Sequence, residues 1–222
     1  MKYRSVFDII GPIMVGPSSS HTAGAVRIGL LTRYIFGYQP EKIKITLYGS
    51  FKETYKGHGT DIALIGGLLG YNTSDKRIRT SLENAKEAGI DFEFIESEVE
   101  HIHPNTAKLE VETGRHSLDL VGKSIGGGKM IIFELLGFDV NLSGDFPSYF
   151  IFYKFNESNK VQLLSEVEAI FGNNKVSTNF SDSILEGTNL LVVETLEEIS
   201  EEQLEKITKL GYVNEVKFAD RL

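Results

Sequence analysis

From Ser148 to the C-terminus the chain alternates strand and helix signals in an order that few folds accommodate. Ser148-Tyr149-Phe150-Ile151-Phe152-Tyr153-Lys154-Phe155 is rich in aromatic and β-branched residues and predicts a strand. Val161 to Phe171 follows as an amphipathic helix carrying Val161, Leu164, Val167 and Ile170. Val176 to Asn179 and Leu190 to Glu194 predict two more strands. Ser200 opens a second helix through Leu204, Ile207 and Leu210, stopped at Gly211, and Val213 to Phe218 predicts the last strand. The order βαββαβ is that of a ferredoxin-like unit. Ahead of it, Gly137 to Pro147 is rich in Gly, Asn, Ser and Asp and predicts a linker. The expected organisation is therefore two domains, residues 1–144 and 145–222, of the α/β class and more narrowly α+β.

Composition narrows the function classes. At 222 residues there is room for one large or two ordinary domains. A formal net charge of -8 argues against nucleic acid as the main partner. No apolar run is long enough to span a bilayer, and the N-terminus lacks the pattern of a secretory signal, so no membrane partner and a cytoplasmic location are expected. The chain has no cysteine. That excludes disulfides, a thiol nucleophile, and any thiolate-held zinc or iron–sulfur centre built by this chain alone.

The polar groups with chemical potential are concentrated before residue 130. Met1 to Val15 predicts a short helix or turn leading into Gly16-Pro17-Ser18-Ser19-Ser20-His21-Thr22. Any of the three serines can cap the helix announced by Ala23 to Leu31, and a capped helix start presents unpaired N–H groups to an anion. His21 falls in the first turn, where the helix dipole lowers an imidazole pKa and favours the neutral, proton-accepting form. Apolar residues on both sides make this helix a buried one; Gly24 and Gly29 permit a neighbour to come close, and Gly37 is its stop. Lys42 to Tyr48 alternates and predicts a strand with Ile43, Ile45 and Leu47 facing inward.

A second histidine stands in Lys56-Gly57-His58-Gly59-Thr60-Asp61, read as a glycine-flanked loop before a helix over Ile62 to Leu69 that Thr60 or Asp61 caps. Thr80 and Glu83 have capping-box spacing for a short helix closed by Gly89, and Asp91 to Phe94 predicts a strand. His101 and His103, two apart on an expected strand, share a face but lack a third ligand, so a metal is not expected. Ala107, Leu109 and Val111, a turn at Thr113-Gly114, and Leu118 and Leu120 predict a hairpin, with His116 on its surface. Ser124-Ile125-Gly126-Gly127-Gly128-Lys129 lacks phosphate-loop spacing and leads into a strand; its glycines let backbone pass close to another element or a substrate.

Four of these motifs occur in one order: Gly16 to Thr22, Gly57 to Asp61, His103-Pro104-Asn105, and Ser124 to Gly128. In that order they resemble the β-chain of the bacterial two-chain, iron–sulfur L-serine dehydratase (L-serine ammonia-lyase), over essentially the whole chain. The resemblance implies an N-terminal mixed-sheet, allosteric-substrate-binding-like domain and a C-terminal ACT-like domain. It implies a [4Fe–4S] cluster that activates the serine hydroxyl, held by cysteines of a separate α-chain, with L-serine as substrate and pyruvate and ammonia as products. His58 or His21 would supply the base that takes the α-proton, His58 being the better candidate and His21 the orienting group. Ser18, Ser19, Ser20, Thr22, Gly57, Thr60, Asp61, His103, Asn105, Gly126 and Gly127 would contact substrate, with Asp61 either orienting a histidine or capping its helix.

The segment Asn156-Glu157-Ser158-Asn159-Lys160 departs from the Asp-x-Pro-Gly-like turn of ACT domains that bind amino acids. Self-association is therefore the expected role of the C-terminal domain. Two other readings stay open on sequence alone. The serine loop also resembles the allosteric substrate-binding domain of some phosphoglycerate dehydrogenases, which would make the chain a regulatory binding module. The chain could also be a structural subunit whose histidines pack against the α-chain.

Overall fold

The computed structural model describes residues 13–99, 103–182 and 187–222. The expected element before Val15 and the residue His101 lie largely or wholly outside that set. The described residues form two compact units, one up to residue 136 and the other over 144–221, with the division falling within 137–143.

In the first unit a π-helical turn, Ser19–Ala23, runs directly into α1 (Gly24–Phe36). Strand β1 (Lys42–Tyr48) leads to α2 (Gly49–His58) and α3 (Thr60–Leu68), then a 3-10 turn and α4 (Ser81–Glu87). Strands β2 (Asp91–Glu96), β3 (Thr106–Thr113), β4 (His116–Gly126), β5 (Lys129–Leu135) and β6 (Phe138–Leu142) complete a mixed sheet of order β2-β1-β3-β4-β5-β6. β1 pairs parallel with β2 and antiparallel with β3, as a crossover through three helices and a direct return require.

Alternation along β1 and β3 sends Ile43, Ile45, Leu47, Ala107, Leu109 and Val111 to one face, all at most 2% exposed. The other face carries a ladder of charge, Lys44–Glu110 at 3.2 Å and Lys108–Asp119 at 3.7 Å. Helix α1 lies against β3, β4 and β5, with α3 against α1. Gly29 and Gly67 set that helix contact: a Cβ on Gly29 would sit 2.3 Å from the Leu64 carbonyl oxygen, and one on Gly67 2.2 Å from that of Val26. The expected stop at Gly37 holds in the left-handed conformation, φ 79°.

The second unit contains β7 (Ser148–Lys154), α5 (Glu157–Phe171), β8 (Lys175–Ser181), β9 (Thr188–Thr195), α6 (Glu201–Thr208) and β10 (Val213–Ala219). Its four antiparallel strands run β10-β7-β9-β8, and the element order is βαββαβ. Tyr149, Ile151 and Tyr153 on β7, Leu191 and Val193 on β9, and Leu163, Val167, Phe171 and Ile207 on the helices form one core. Ser200 closes a full capping box with Gln203, as its place before α6 predicts.

Several expectations are corrected. The predicted linker contains β6, whose Phe138, Val140 and Leu142 are buried. Helix α5 starts at Glu157 and buries Leu163, Val167 and Phe171, leaving Val161 and Leu164 exposed. The segment Asn156 to Lys160 is no open turn but the cap and first turn of α5, with Asn156 Oδ1 accepting from the Asn159 N–H at 2.7 Å. Thr80 makes no capping hydrogen bond; its hydroxyl turns back to donate to the Arg77 carbonyl at 3.3 Å. His103 precedes β3 and is not in a strand.

Candidate active site

Ser18, of the three possible caps, is the one used. Its Oγ accepts from the His21 backbone N–H at 3.1 Å and lies 3.4 Å from His21 Nδ1. The π-helical turn that follows is closed by the Gly24 N–H bonding back to the Ser19 carbonyl, a widened geometry that recurs at functional sites. It leaves Ser19 and Ser20 half-buried at the head of a long helix.

His58 arrives from a different element than its glycine neighbours predict. It is the last residue of α2, not a loop residue, and Gly59 at φ 71° makes the sharp break between α2 and α3. Gly59 also occupies the cap position expected of Thr60 or Asp61, without a side-chain cap. The two histidines meet: their ring centroids are 4.9 Å apart with planes at 72°. The Thr22 hydroxyl donates to the His58 carbonyl at 3.2 Å and ties the two segments together. Phe51 packs its ring edge against His21, centroids 5.5 Å apart.

Electrostatics divide the pair. Burial pushes the His21 imidazole below its ordinary pKa, and the adjacent His58 pushes the same way. The direction matches expectation, and the resolved causes are desolvation first and the like charge of His58 second. The His58 ring is exposed, and among the described residues its contact is with His21. Burial raises Asp61, opposed by hydrogen bonds from the Ile62 and Asp61 N–H groups and by Lys56. Its carboxylate accepts from the Ile62 N–H at 2.8 Å, which is a helix-start role with no described bond to a histidine.

The third and fourth motifs converge on the same region by backbone contacts. The Pro104 carbonyl accepts from the Phe51 N–H at 3.3 Å, and the Asn105 carbonyl from the Ser124 N–H at 2.9 Å. His103 Nδ1 accepts from the Asn105 N–H at 3.2 Å, fixing the turn into β3. Gly126 ends β4 and Gly127 and Gly128 form the β4–β5 turn, all three at positive φ, and the Cβ that Gly126 lacks would lie 3.7 Å from Ser20 Oγ. Of the buried side-chain polar atoms without a hydrogen-bond partner among the described residues, Thr60 Oγ1 and Asn105 Oδ1 belong to these motifs. Such atoms are rare and mark places where a ligand or water completes the bonding. Gly57 is exposed and helical, with open space where a side chain would go. Ser50, which no sequence signal singled out, lies with Oγ 3.1 Å from His21 Nε2.

These motifs are shared with known proteins. Residues 5–88 match the family model of the serine dehydratase beta chain. Over 221 residues, 99% of this chain and 100% of the other, it is 45% identical to the probable L-serine dehydratase, beta chain, of Bacillus subtilis (strain 168). The chain belongs to the serine dehydratase beta-chain family. The family's L-serine dehydratase, beta chain, from Peptoniphilus asaccharolyticus is 41% identical over 152 residues, 67% of this chain and 68% of that one. L-serine dehydratase 2 of Escherichia coli (strain K12) is 33% identical over 121 residues, which are 52% of this beta chain but 23% of that longer protein.

An iron–sulfur cluster does not fit the groups present in this beta chain. It has no thiolate to offer, and among the described residues no three His, Asp or Glu side chains converge. Among the described residues, too, no helix is long and apolar enough to cross a membrane.

Proposed function

We propose that this chain is the β subunit of a two-chain L-serine dehydratase that converts L-serine to pyruvate and ammonia. The observation that carries the reading is the meeting of His21 and His58, 4.9 Å apart, beside the serine-capped start of α1. The cysteine ligands of the [4Fe–4S] cluster belong on this reading to a separate α-chain, since this chain has none. The setting is the cytoplasm, in amino-acid degradation.

The chain's own groups divide the work. Ser19 and Ser20, with the free N–H groups of the helix start, hold the substrate carboxylate, and Ser18 caps the helix that presents them. Thr60 and Asn105 offer their unpartnered buried atoms to the substrate's polar groups, and the Gly57, Gly126 and Gly127 backbones line its approach. His103, Thr22 and Asp61 hold the segments that carry these contacts. His58, whose residue is exposed, takes the Cα proton. The electron pair of that C–H bond forms the Cα–Cβ double bond, and the Cβ–O bond breaks with hydroxide leaving, to become water on protonation. The 2-aminoacrylate tautomerises to the imine, and water replaces the nitrogen to give pyruvate and ammonia.

The C-terminal unit is on this reading an ACT-like domain, residues 145–222, and the segment before it an allosteric-substrate-binding-like domain, residues 1–144. The βαββαβ order supports the first assignment. Its helix-capping Asn156 leaves no small-residue turn for a ligand, which supports pairing between chains as its role.

The test is purification of the chain alone and with its α-partner, followed by a pyruvate assay on L-serine. The chain alone should be colourless and inactive, and the pair active. A brown isolated chain that turns over serine overturns the division of labour.

A further inference from the structure

We propose that Ser50 is a positioning residue for His21: its Oγ accepts the Nε2–H hydrogen bond and so fixes the imidazole in the Nε2–H tautomer. The inference deepens the reading of this site as a serine-deaminating centre and rests on it for the catalytic consequence alone.

Hydroxyls stand at both ring nitrogens, and the proposed tautomer satisfies both. Ser18 Oγ already accepts the His21 backbone N–H at 3.1 Å, so its own hydroxyl proton is free to point at Nδ1, 3.4 Å away. With Nδ1 as the acceptor the ring proton sits on Nε2, whose partner is Ser50 Oγ at 3.1 Å, the closer of the two ring contacts. Ser50 is held for this purpose by its backbone. It is the second residue of α2, directly after Gly49, whose φ of 51° makes the turn out of β1. A Cβ on Gly49 would come within 2.7 Å of Pro104 Cα, so the Pro104 backbone and the α2 start lie in direct contact. The Thr54 hydroxyl donates to the Ser50 carbonyl at 2.7 Å and secures the same turn of helix.

With both nitrogens engaged, His21 is a poor acceptor for the substrate's proton and a well-fixed wall for His58. The titratable group facing its ring is His58, and Phe51 fills the adjoining side. Ser50 therefore acts on the reaction through His21, and loss of its hydroxyl frees the ring to exchange tautomers and tilt. Turnover should then fall by up to roughly a hundredfold, the scale of a displaced catalytic group.

The experiment uses the full-length chain labelled with nitrogen-15, read by long-range proton–nitrogen correlation at pH 8, with His21 assigned by its disappearance in His21→Asn. The wild type should show the Nε2–H pattern, Ser50→Ala an averaged mixture of tautomers, and Ser50→Thr the wild-type pattern. Amide spectra away from the site should be unchanged in both variants. A wild-type Nδ1–H pattern, or a Ser50→Ala spectrum identical to wild type at His21, overturns the proposal. In the enzyme assembled with its α-chain, Ser50→Ala should lower kcat with Ser50→Thr restoring it; unchanged kcat beside an active wild type also overturns it. An assembled wild type that never consumes serine defeats the functional reading instead, and the nitrogen spectra still decide whether Ser50 sets the tautomer.

Discussion

The His21 and His58 rings stand edge to face with centroids 4.9 Å apart, though they come from helices separated by a strand. Two imidazoles this close cannot both carry a proton without strong repulsion. One of them, His21, is also half-buried and hydrogen-bonded at both nitrogens, which makes it the member that stays neutral. His58 is the exposed member of the pair.

That asymmetry has a stability consequence with a definite sign. His21 has a folded-state pKa below its ordinary value of about 6.5, so the unfolded chain binds the proton more tightly. The stability tied to neutral His21 is fully present above that value and is lost as pH falls towards and through the folded-state pKa. Urea midpoints measured from pH 8 to pH 5 should therefore drop more steeply for the wild type than for His21→Asn. Asp61, raised by burial, has the opposite sign: its contribution is present below its ordinary value and lost as pH rises. It is common to both proteins, so the difference between them isolates His21. Parallel curves would remove the electrostatic account of the pair.

Two glycines separate packing from function. Gly67→Ala places a methyl 2.2 Å from the Val26 carbonyl oxygen and 2.6 Å from the Leu30 nitrogen, forcing α1 and α3 apart. It should cost about 1–3 kcal/mol or more, seen as a lower denaturation midpoint. Gly57→Ala meets no atom within 4 Å and sits inside a helix, so stability should hold or rise by up to about 1 kcal/mol. If substrate passes over the Gly57 backbone as proposed, the same change should raise KM for serine without unfolding anything. A stable variant with unchanged KM removes Gly57 from the site.

Strands and most helices were legible because burial imposed their period. Ile43, Ile45 and Leu47, and Ala107, Leu109 and Val111, alternate in the sequence and on the sheet alike. Helix α2 was not legible: of its ten residues, Phe51 alone is buried, so no apolar stripe announces it, and glycines at 49 and 57 read as loop. In β6 the polar Asp139 and Asn141 masked the alternation of Phe138, Val140 and Leu142. For α5 the misread stripe was offset: Val161 and Leu164 keep helical spacing with the buried Val167 but are themselves exposed. At the site, the histidines and serines were legible as motifs. Ser50 was not, since its partner is 29 residues away and the turn at Gly49 that aims it is a property of the fold.

The exposed face of α5 bears on assembly. Val161 is 65% and Leu164 41% exposed, one turn apart on a helix whose opposite side is core. If the C-terminal domain pairs between chains as proposed, this apolar strip is the place for it. The double variant Val161→Glu, Leu164→Glu should keep the circular dichroism of the wild type and lower the mass found by sedimentation equilibrium. An unchanged mass would move the pairing elsewhere or remove it.

The chemical assignment rests on His58. In the enzyme assembled from both chains, His58→Ala should lower turnover by roughly a hundred- to ten-thousandfold, the effect of losing a general base. Assembly and the cluster's absorption should be intact, because the His58 ring is exposed and its structural contribution, the carbonyl bond from Thr22, belongs to the backbone. Ser19→Ala should instead weaken serine binding along with the rate, since it removes a donor from the helix start proposed to hold the carboxylate. His21→Asn should lower kcat with little loss of the fold, by releasing the wall against which His58 is set. Proton exchange separates the roles: in deuterated solvent, the wild type should wash deuterium into the Cα of unreacted serine, provided the proton on the base exchanges before substrate reforms. His58→Ala should lose that exchange in step with turnover. If it turns serine over at a near-normal rate, the base is His21 or a group of the α-chain, and the exposed imidazole at the end of α2 serves binding alone.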